Sequence, residues 1–284
     1  MRDISFIDKT FDNAQTHLYH LSIQISLDGF YFAVIDIPRG KYVVLSGRHF
    51  FLKRPRLLLK QVREVIESEE IFNCDFKSID ILYSTPKFTM IPQAFYSQGF
   101  SNKYLWFNNA QENGFVIGEN FFSNAECWYI FDIPKNLNDY LEVKFPKSSV
   151  RHNLFPLVEG VLRQNRAFPD RCQVHVNFFR DIFEMVIVNG SKLIQCNVFN
   201  YKTERDILYH VLFAFDQLKL SAESTELILH GQVPQVSPVY HLFKKYVRLT
   251  AFARRDSTFL YSYTFSQLPE HYYSSLLSLY KCES

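Results

Sequence analysis

Nine histidines, five cysteines and one long run of cations are the residues from which this chain could build chemistry, and their spacing decides how much. Cys74, Cys127, Cys172, Cys196 and Cys282 are odd in number, scattered and never in a C-x-x-C pair. That pattern indicates reduced thiols, not a disulfide framework or a zinc ribbon. His17 and His20 sit in HLYHLSIQIS, which reads as the start of a strand, where a spacing of three sends the two imidazoles to opposite faces and away from a shared metal. The chain has no G-x-x-x-x-G-K-[ST] loop, G-x-G-x-x-G turn, H-E-x-x-H helix or G-x-S-x-G elbow. The commoner phosphate, zinc and nucleophile signatures are therefore absent, and no catalytic residue is assigned.

Two stretches suit binding better than catalysis. Arg39, Lys41, Arg48, Lys53, Arg54, Arg56, Lys60 and Arg63 follow one another with no acid between them and with Tyr42, Phe50 and Phe51 interleaved. Such a patch fits phosphate oxygens or an acidic partner. The competing reading is a solvated strand and helix start, because a strand disperses alternate side chains to two faces. Arg54, Arg56, Lys60 and Arg63 are taken as partner-binding candidates. They begin a helical stretch that ends in Glu64, Glu67, Glu69 and Glu70, a charge order that opposes the helix dipole. The second stretch, Phe95 to Phe131, holds both tryptophans and ten further Phe or Tyr side chains that are core material or interface anchors. Trp106 and Phe107 are the anchor candidates. A further basic cluster, Lys244, Lys245, Arg248, Arg254 and Arg255, reads equally well as ordinary surface.

The elements that must position these residues follow from periodicity. From Leu21, three apolar-alternating runs are divided by Asp28-Gly29 and by Pro38-Arg39-Gly40, which predicts a three-stranded meander. RLLLKQVREVIESEE then puts Leu58, Val62, Val65 and Ile66 on one helical stripe, and a strand IDILYS begins at Ile79. The order βββαβ recurs about 150 residues later in QVHVNFFR, DIFEMVIV, Asn189-Gly190, KLIQCNVFNY, a helix TERDILYHVLFAFDQLKL and the strand TELILHG. Setting Ile23 opposite Val174, Ile25 opposite Val176, Phe32 opposite Phe183 and Ile79 opposite Leu227 makes the halves look duplicated. IPQAFYSQ with CWYIFDIP, and SPVYHLFKKY with VRLTAF, read as a further helix and strand in each half. HNLFPLVEGVLRQN reads as a helical bridge. SQLPEHYYSSLLSLYK, with Ser266 as cap and Leu268, Tyr272, Leu276 and Leu279 on one face, predicts a closing helix. Residues 1–152 form the expected first lobe, with an aromatic insertion at about 99–126, and residues 153–284 the second.

Composition narrows the function classes. Lys and Arg number 31 against 29 Asp and Glu, so a net charge of +2 offers no global case for nucleic acid or an anionic membrane. Hydrophobic residues at 47% are ample for folded cores. No apolar run approaches the roughly 18 residues of a membrane helix, and MRDISFIDKTFD lacks the apolar centre of a secretion signal. A cytoplasmic protein is expected.

The repeated βββαβαβ pattern, from about Leu18 onward, resembles the ribonuclease-H-like fold duplicated in the actin and sugar-kinase superfamily. The wording of the sequence is similar to a bacterial family of unknown function with an actin-like ATPase fold and, more distantly, to the cytoplasmic actin-like proteins of pilus assembly and type II secretion. The resemblance implies an α/β, two-lobed protein with nucleotide lying between the first hairpins. It also implies an Asp on the first strand of each half that reaches Mg²⁺, then a Gly two residues later beside a phosphate. Here those positions read Gln24 and Ser26 in the first half and His175 and Asn177 in the second. The adenosine loop, a Gly-Gly pair in the superfamily, is reduced to His230-Gly231. Gln carries no charge for a hard cation, and neutral His prefers softer metals. Asp28 could serve as a displaced acid, although Asp28-Gly29 is already explained as the hairpin turn. The expectation is a non-catalytic binding or scaffolding module with a protein partner and no cofactor. The alternative is a nucleotide-binding switch or weak ATPase using an interlobe cleft lined by Gln24, Ser26, Asp28, His175, Asn177, His230 and Gly231.

Overall fold

The computed structural model describes residues 3–282. The chain divides into two compact units, one comprising residues up to Pro156 with Asp256–Leu268 and the residues from Leu276 on, the other Leu157–Arg255 with Pro269–Ser275.

In the first unit, β1 (Ile4–Ile7), β2 (Tyr19–Ser26), β3 (Gly29–Asp36), β4 (Lys41–His49), β5 (Ser78–Tyr83) and β9 (Ser149–His152) form a sheet in the order β1-β4-β3-β2-β5-β9, and β15 (Leu260–Tyr261) adds to β4. The β2-β3-β4 meander is antiparallel, whereas β5 runs parallel to β2 and β9 parallel to β5. Strict alternation along β2 sends Tyr19, Leu21, Ile23 and Ile25 into the core. They meet Leu58, Val62, Val65 and Ile66 of α1 (Leu58–Ser68), the stripe that the 3.6-residue period specifies. The core also takes Leu137 and Leu141 of α3 (Lys135–Lys144).

A separate three-stranded antiparallel sheet in this unit has the order β6-β8-β7, from β6 (Phe88–Pro92), β7 (Phe115–Phe122) and β8 (Cys127–Pro134), with α2 (Ser101–Asn108) between β6 and β7 in sequence. CWYIFDIP is thus β8 of this small sheet and not the fifth strand of the repeat, a place taken by the four-residue β9. It resembles a core strand because Phe131 and Ile133 do enter the main core. IPQAFYSQ forms no α-helix. It is the end of β6 and a single 3-10 turn, Gln93–Phe95, whose start has no side-chain cap.

α4 (Leu154–Asn165) carries the chain into the second unit. There β10 (Cys172–Phe178), β11 (Ile182–Asn189), β12 (Lys192–Asn200), β13 (Glu226–Gly231) and β14 (Leu249–Phe252) make a sheet in the order β12-β11-β10-β13-β14. The meander is again antiparallel, and β10-β13 and β13-β14 are parallel. The succession of neighbours repeats β4-β3-β2-β5-β9 strand for strand. α5 (Glu204–Gln217) opens on a capping box between Thr203 and Asp206 and, with α6 (Pro238–Tyr246), covers Val174, Val176, Phe183, Met185, Leu227 and Leu229.

The register corrects two of the expected equivalences. Ile23 pairs with Phe32 and Ile81, whereas Val174 pairs with Ile187 and Leu227. With Ile23 on Val174, Phe32 therefore matches Ile187 and Ile81 matches Leu227. For Phe32 the cause is the hairpin length: a two-residue turn follows Ser26, but β10 and β11 stay paired one step further, to Phe178↔Phe183.

The expected closing helix is also replaced. Ser266 is no cap, since it lies inside a 3-10 turn, Tyr263–Gln267, and donates its hydroxyl to the Tyr263 carbonyl at 2.7 Å. Pro269 follows, Tyr273 takes a left-handed φ of 57°, and only the five-residue α7 (Ser274–Ser278) forms. Of the chain after Arg255, Asp256–Leu268 and the residues from Leu276 on belong to the first unit, not to the second as expected, and Pro269–Ser275 to the second. Leu260 and Tyr261 pair with Lys41 and Tyr42, Tyr42 stacks on Tyr261 at 5.4 Å, and the Tyr42 hydroxyl donates to the Leu277 carbonyl at 2.7 Å. Tyr42 is fully buried. Tyr42→Phe strands that carbonyl and should lower unfolding stability by about 1–2 kcal/mol in a urea titration. An unchanged midpoint would show that the C-terminal segment is held without it.

Candidate functional site

The first strand of each meander, β2 and β10, is buried on both faces. In β2 the residues alternating with the core-facing ones are His20, Ser22, Gln24 and Ser26, and in β10 they are Gln173, His175 and Asn177, all less than a tenth exposed. A polar row so placed must find its hydrogen bonds inside the protein.

In the first unit Gln24 Nε2 donates to Asn153 Oδ1 at 2.7 Å, and Asn153 is itself fixed through its N–H on the Tyr83 carbonyl. Ser26 Oγ accepts from the Asp28 N–H at 3.2 Å and faces the Gly29 carbonyl, closing the turn on itself. Asp28 is half-buried on that turn, and its carbonyl accepts from the Phe50 N–H. At Gly29 a Cβ would lie 2.6 Å from the Tyr31 hydroxyl and 2.7 Å from the Arg48 carbonyl oxygen, so packing alone explains the glycine. Further back on the row, His20 bridges Ser78 and Ser22 at 2.8 and 3.0 Å and lies 3.8 Å from Asp80, which accepts from Ser149.

The second unit holds a longer chain of bonds whose protons can all be placed. Asn165 donates to Gln173 Oε1 at 2.8 Å, and Gln173 Nε2 donates to Glu226, which also takes Arg171 in a bidentate pair. With the Gln173 amide so oriented, His175 Nε2–H points to Oε1 at 3.4 Å, and His175 Nδ1 is left to accept from His230 Nε2–H at 3.0 Å. His230 Nδ1 then accepts from the Ser274 hydroxyl at 3.1 Å. Asn177 Nδ2 donates to Glu184 Oε2 at 2.8 Å. Gly231 has a φ of +78°; a Cβ there would strike the Phe178 carbonyl oxygen and lie 2.8 Å from Asn177 Oδ1. Its N–H donates to the His271 carbonyl, while His271 Nε2 donates to the Val233 carbonyl at 2.7 Å.

The histidines are held neutral. Burial, reinforced by the Arg171 charge, pushes His175 down to about 3, and burial with the neighbouring His175 and His271 drives His230 well below a free imidazole. In the first unit burial brings His152 to about 4, only partly offset by its bond to the Thr85 carbonyl. Its Nδ1 accepts from the Leu154 N–H.

The donor set does not fit a magnesium-bound nucleotide. Both imidazoles of the His175–His230 pair have their lone pairs committed, and the Gln24 amide carries no charge for a hard cation and has its NH2 group on Asn153. Asp28 is the one carboxylate among the seven residues, and the acid nearest Asn177, Glu184, is fully buried and bound by it. Among the described residues no three His, Cys, Asp or Glu side chains gather to hold a metal ion. Glu184 escapes sequence reasoning because it sits in an apolar run, DIFEMVIV. The signal that could have found it is that it is the one acid inside that strand. Asp80, Asp132 and Glu159 are likewise buried acids within apolar elements.

The partner-binding candidates are dispersed. Lys60 and Arg63 lie 3.9 and 4.0 Å from Glu64 and Glu67, which answers the reversed charge order of α1 with local pairs. Arg39, Lys41 and Arg48 pair with Asp36, Asp8 and Asp3. Arg54 is exposed, and Arg56 lines a cavity of about 390 Å³ with Gly114, Phe115, Lys135 and Asp139. Trp106 is half-buried, whereas Phe107 is 86% exposed.

A family model described as a protein of unknown function, DUF3822, matches residues 8–249. The chain belongs to the DUF3822 family. No curated protein matches it. A Bacteroides thetaiotaomicron VPI-5482 protein with an actin-like ATPase fold and unknown function is similar at a TM-score of 0.77 and 20% identity, over 86% of this chain and 94% of that one. The PilM–PilN type IV pilus biogenesis complex contains a chain similar at a TM-score of 0.58 and 10% identity, over 93% of this chain and 98% of that one. This DUF3822 chain therefore has the actin-like ATPase fold of two ribonuclease-H-like halves that its repeated pattern implies.

The neutral histidines set a pH dependence. The unfolded chain takes up protons below about pH 6.5 that the folded chain refuses until its own lower values, so this stability is complete above pH 6.5 and is lost as pH falls toward 4. Each of His152, His175 and His230 contributes a slope of up to about 1.4 kcal/mol per pH unit in that window. Asp132, raised by burial, opposes them in part. The urea midpoint should drop steeply between pH 7 and pH 5. A flat profile would mean that these imidazoles titrate as free ones.

Proposed function

We propose that this DUF3822 protein is a non-catalytic binding module, an actin-like fold in which the positions that would serve a nucleotide have become internal hydrogen bonds. The observation that carries this reading is the closed run Gln173–His175–His230–Ser274, together with Gln24–Asn153 in the other unit. Releasing any member to meet a phosphate would leave a buried polar group without its partner, at about 1–3 kcal/mol each. The similarity to a chain found in the PilM–PilN complex supports a protein partner as the ligand class. The docking surface we favour lies on the small sheet and α2, where Phe95 is 75%, Phe100 46% and Phe107 86% exposed. Cytoplasmic residence suits five cysteines that form no disulfide, and no described helix is long and apolar enough to cross a membrane. We read the matching strand orders of the two sheets as an internal duplication.

Thermal melts with and without millimolar Mg-ATP, ADP and GTP test the central point. No change in midpoint is expected, whereas a rise of several degrees with any nucleotide overturns the reading. On the docking surface, Phe107→Ala should leave the melting temperature within about 1 °C of wild type and abolish partner recovery in co-purification. Trp106→Ala should chiefly destabilise the fold, by about 2 kcal/mol. Equal partner recovery with Phe107→Ala and wild type would remove α2 from the interface.

A further inference from the structure

The two sheets share one strand order but treat the outer edge of the meander differently. In the first unit that edge, β4, is covered along its length: β15 pairs with Lys41 and Tyr42, and β1 pairs antiparallel with Val44–Gly47. Charge locks the cover in place. Lys41 Nζ meets Asp8 at 2.7 Å at one end of β1, and Arg48 meets Asp3 at 3.8 Å at the other. The covering segment, residues 3–8, reads Asp-Ile-Ser-Phe-Ile-Asp: apolar residues in an extended stretch with an acid at each end.

The corresponding strand of the second unit is β12. Among the described residues it pairs with β11 alone. It is nine residues long, Ile194 is 45% exposed, and a bulge leaves Ile194 without a register partner on β11. Its first residue is Lys192, as the first residue of β4 is Lys41, and Lys202 follows just beyond its other end; both are exposed. Glu204 and Asp206 come next on α5, where Asp206 is turned back onto the Lys202 and Thr203 N–H groups. Beside the strand, Phe199 stacks on His210, and the aromatic row continues outward through Tyr209 to Phe213, which are 62% and 51% exposed. An uncovered edge of this length is a ready template for strand addition, and the aromatic row offers a shelf for alternate side chains.

We propose that β12 is the docking edge for an extended segment of a partner protein, apolar within and acidic at both ends, which adds to the sheet as β1 adds to β4. The cations on the line of the strand argue against a second copy as the occupant: antiparallel self-pairing brings Lys192 toward Lys202 of the other chain, and parallel self-pairing sets each lysine against its own kind. This inference is independent of the nucleotide question, because it concerns a different surface and a different measurement.

The probe is a fluorescein-labelled peptide, Gly-Asp-Ile-Ser-Phe-Ile-Asp-Gly, titrated with the full chain and followed by fluorescence anisotropy. Saturable binding that weakens as salt is raised is expected, with at least a tenfold loss in the Lys192→Glu/Lys202→Glu double variant and no loss in Lys41→Ala. Ile194→Pro, at the bulge, should weaken binding while the thermal midpoint holds. Replacing both peptide acids by lysine should abolish binding. Three results would overturn the proposal: no binding at millimolar protein; binding lost in Lys41→Ala but kept in the double variant, which would mean exchange into β4; or a wild-type dimer in sedimentation that Ile194→Pro breaks, which would give the edge to a second copy.

Discussion

Burial of β2 and β10 on both faces is the constraint from which the rest follows. A half-buried strand can leave its polar side to water, but these two cannot, because helices cover one face of their sheets and other protein segments the second. Alternation then does more than mark inside and outside. It sorts an apolar row that drives packing from a polar row that must be satisfied residue by residue. Gln24, His175 and His230 are legible as parts of such rows; His175 meets Gln173 of its own row, whereas Gln24 and His230 take partners from distant segments, Asn153 and Ser274.

Those partners hold the polar rows in a single arrangement. Replacing an acid by glutamine or histidine at the centre of a sheet would be costly unless a hydrogen bond took up the new group. Here the second unit answers with a chain in which every proton has one sensible position, running from the Arg171–Glu226 pair through two imidazoles to Ser274. Such a chain favours neutral histidines and a single geometry, the opposite of a site that must open to admit a phosphate.

What could be read in the sequence was whatever local spacing determines. The meander turns at Asp28-Gly29 and Asn189-Gly190, the α1 stripe at Leu58, Val62, Val65 and Ile66, and the α5 helix all rest on neighbours within a few residues. The elements that escaped are held by distant ones. β9 is four residues with little apolar character, and β15 is two residues defined only by its pairing with β4. The closing helix fails at Pro269 and Tyr273, where backbone geometry outweighs a plausible apolar face. The site residues could be named by likeness to a pattern, but their roles could not, since Gln24 and Asn153 lie 129 residues apart and His230 and Ser274 lie 44 apart.

The path of the chain after Arg255 bears on how the protein is made. Residues 256–268 return to the first unit, 269–275 visit the second, and those from Leu276 on return again. A ribosome therefore delivers the meander of the first unit well before β15 and Leu277 exist to finish its edge and to receive the Tyr42 hydroxyl. During synthesis the first unit must wait, with one side of its sheet incomplete, while the second is translated. Neither unit can be excised by a single cut and still carry all of its own structure, because the segments that complete each are interleaved along the C-terminal stretch.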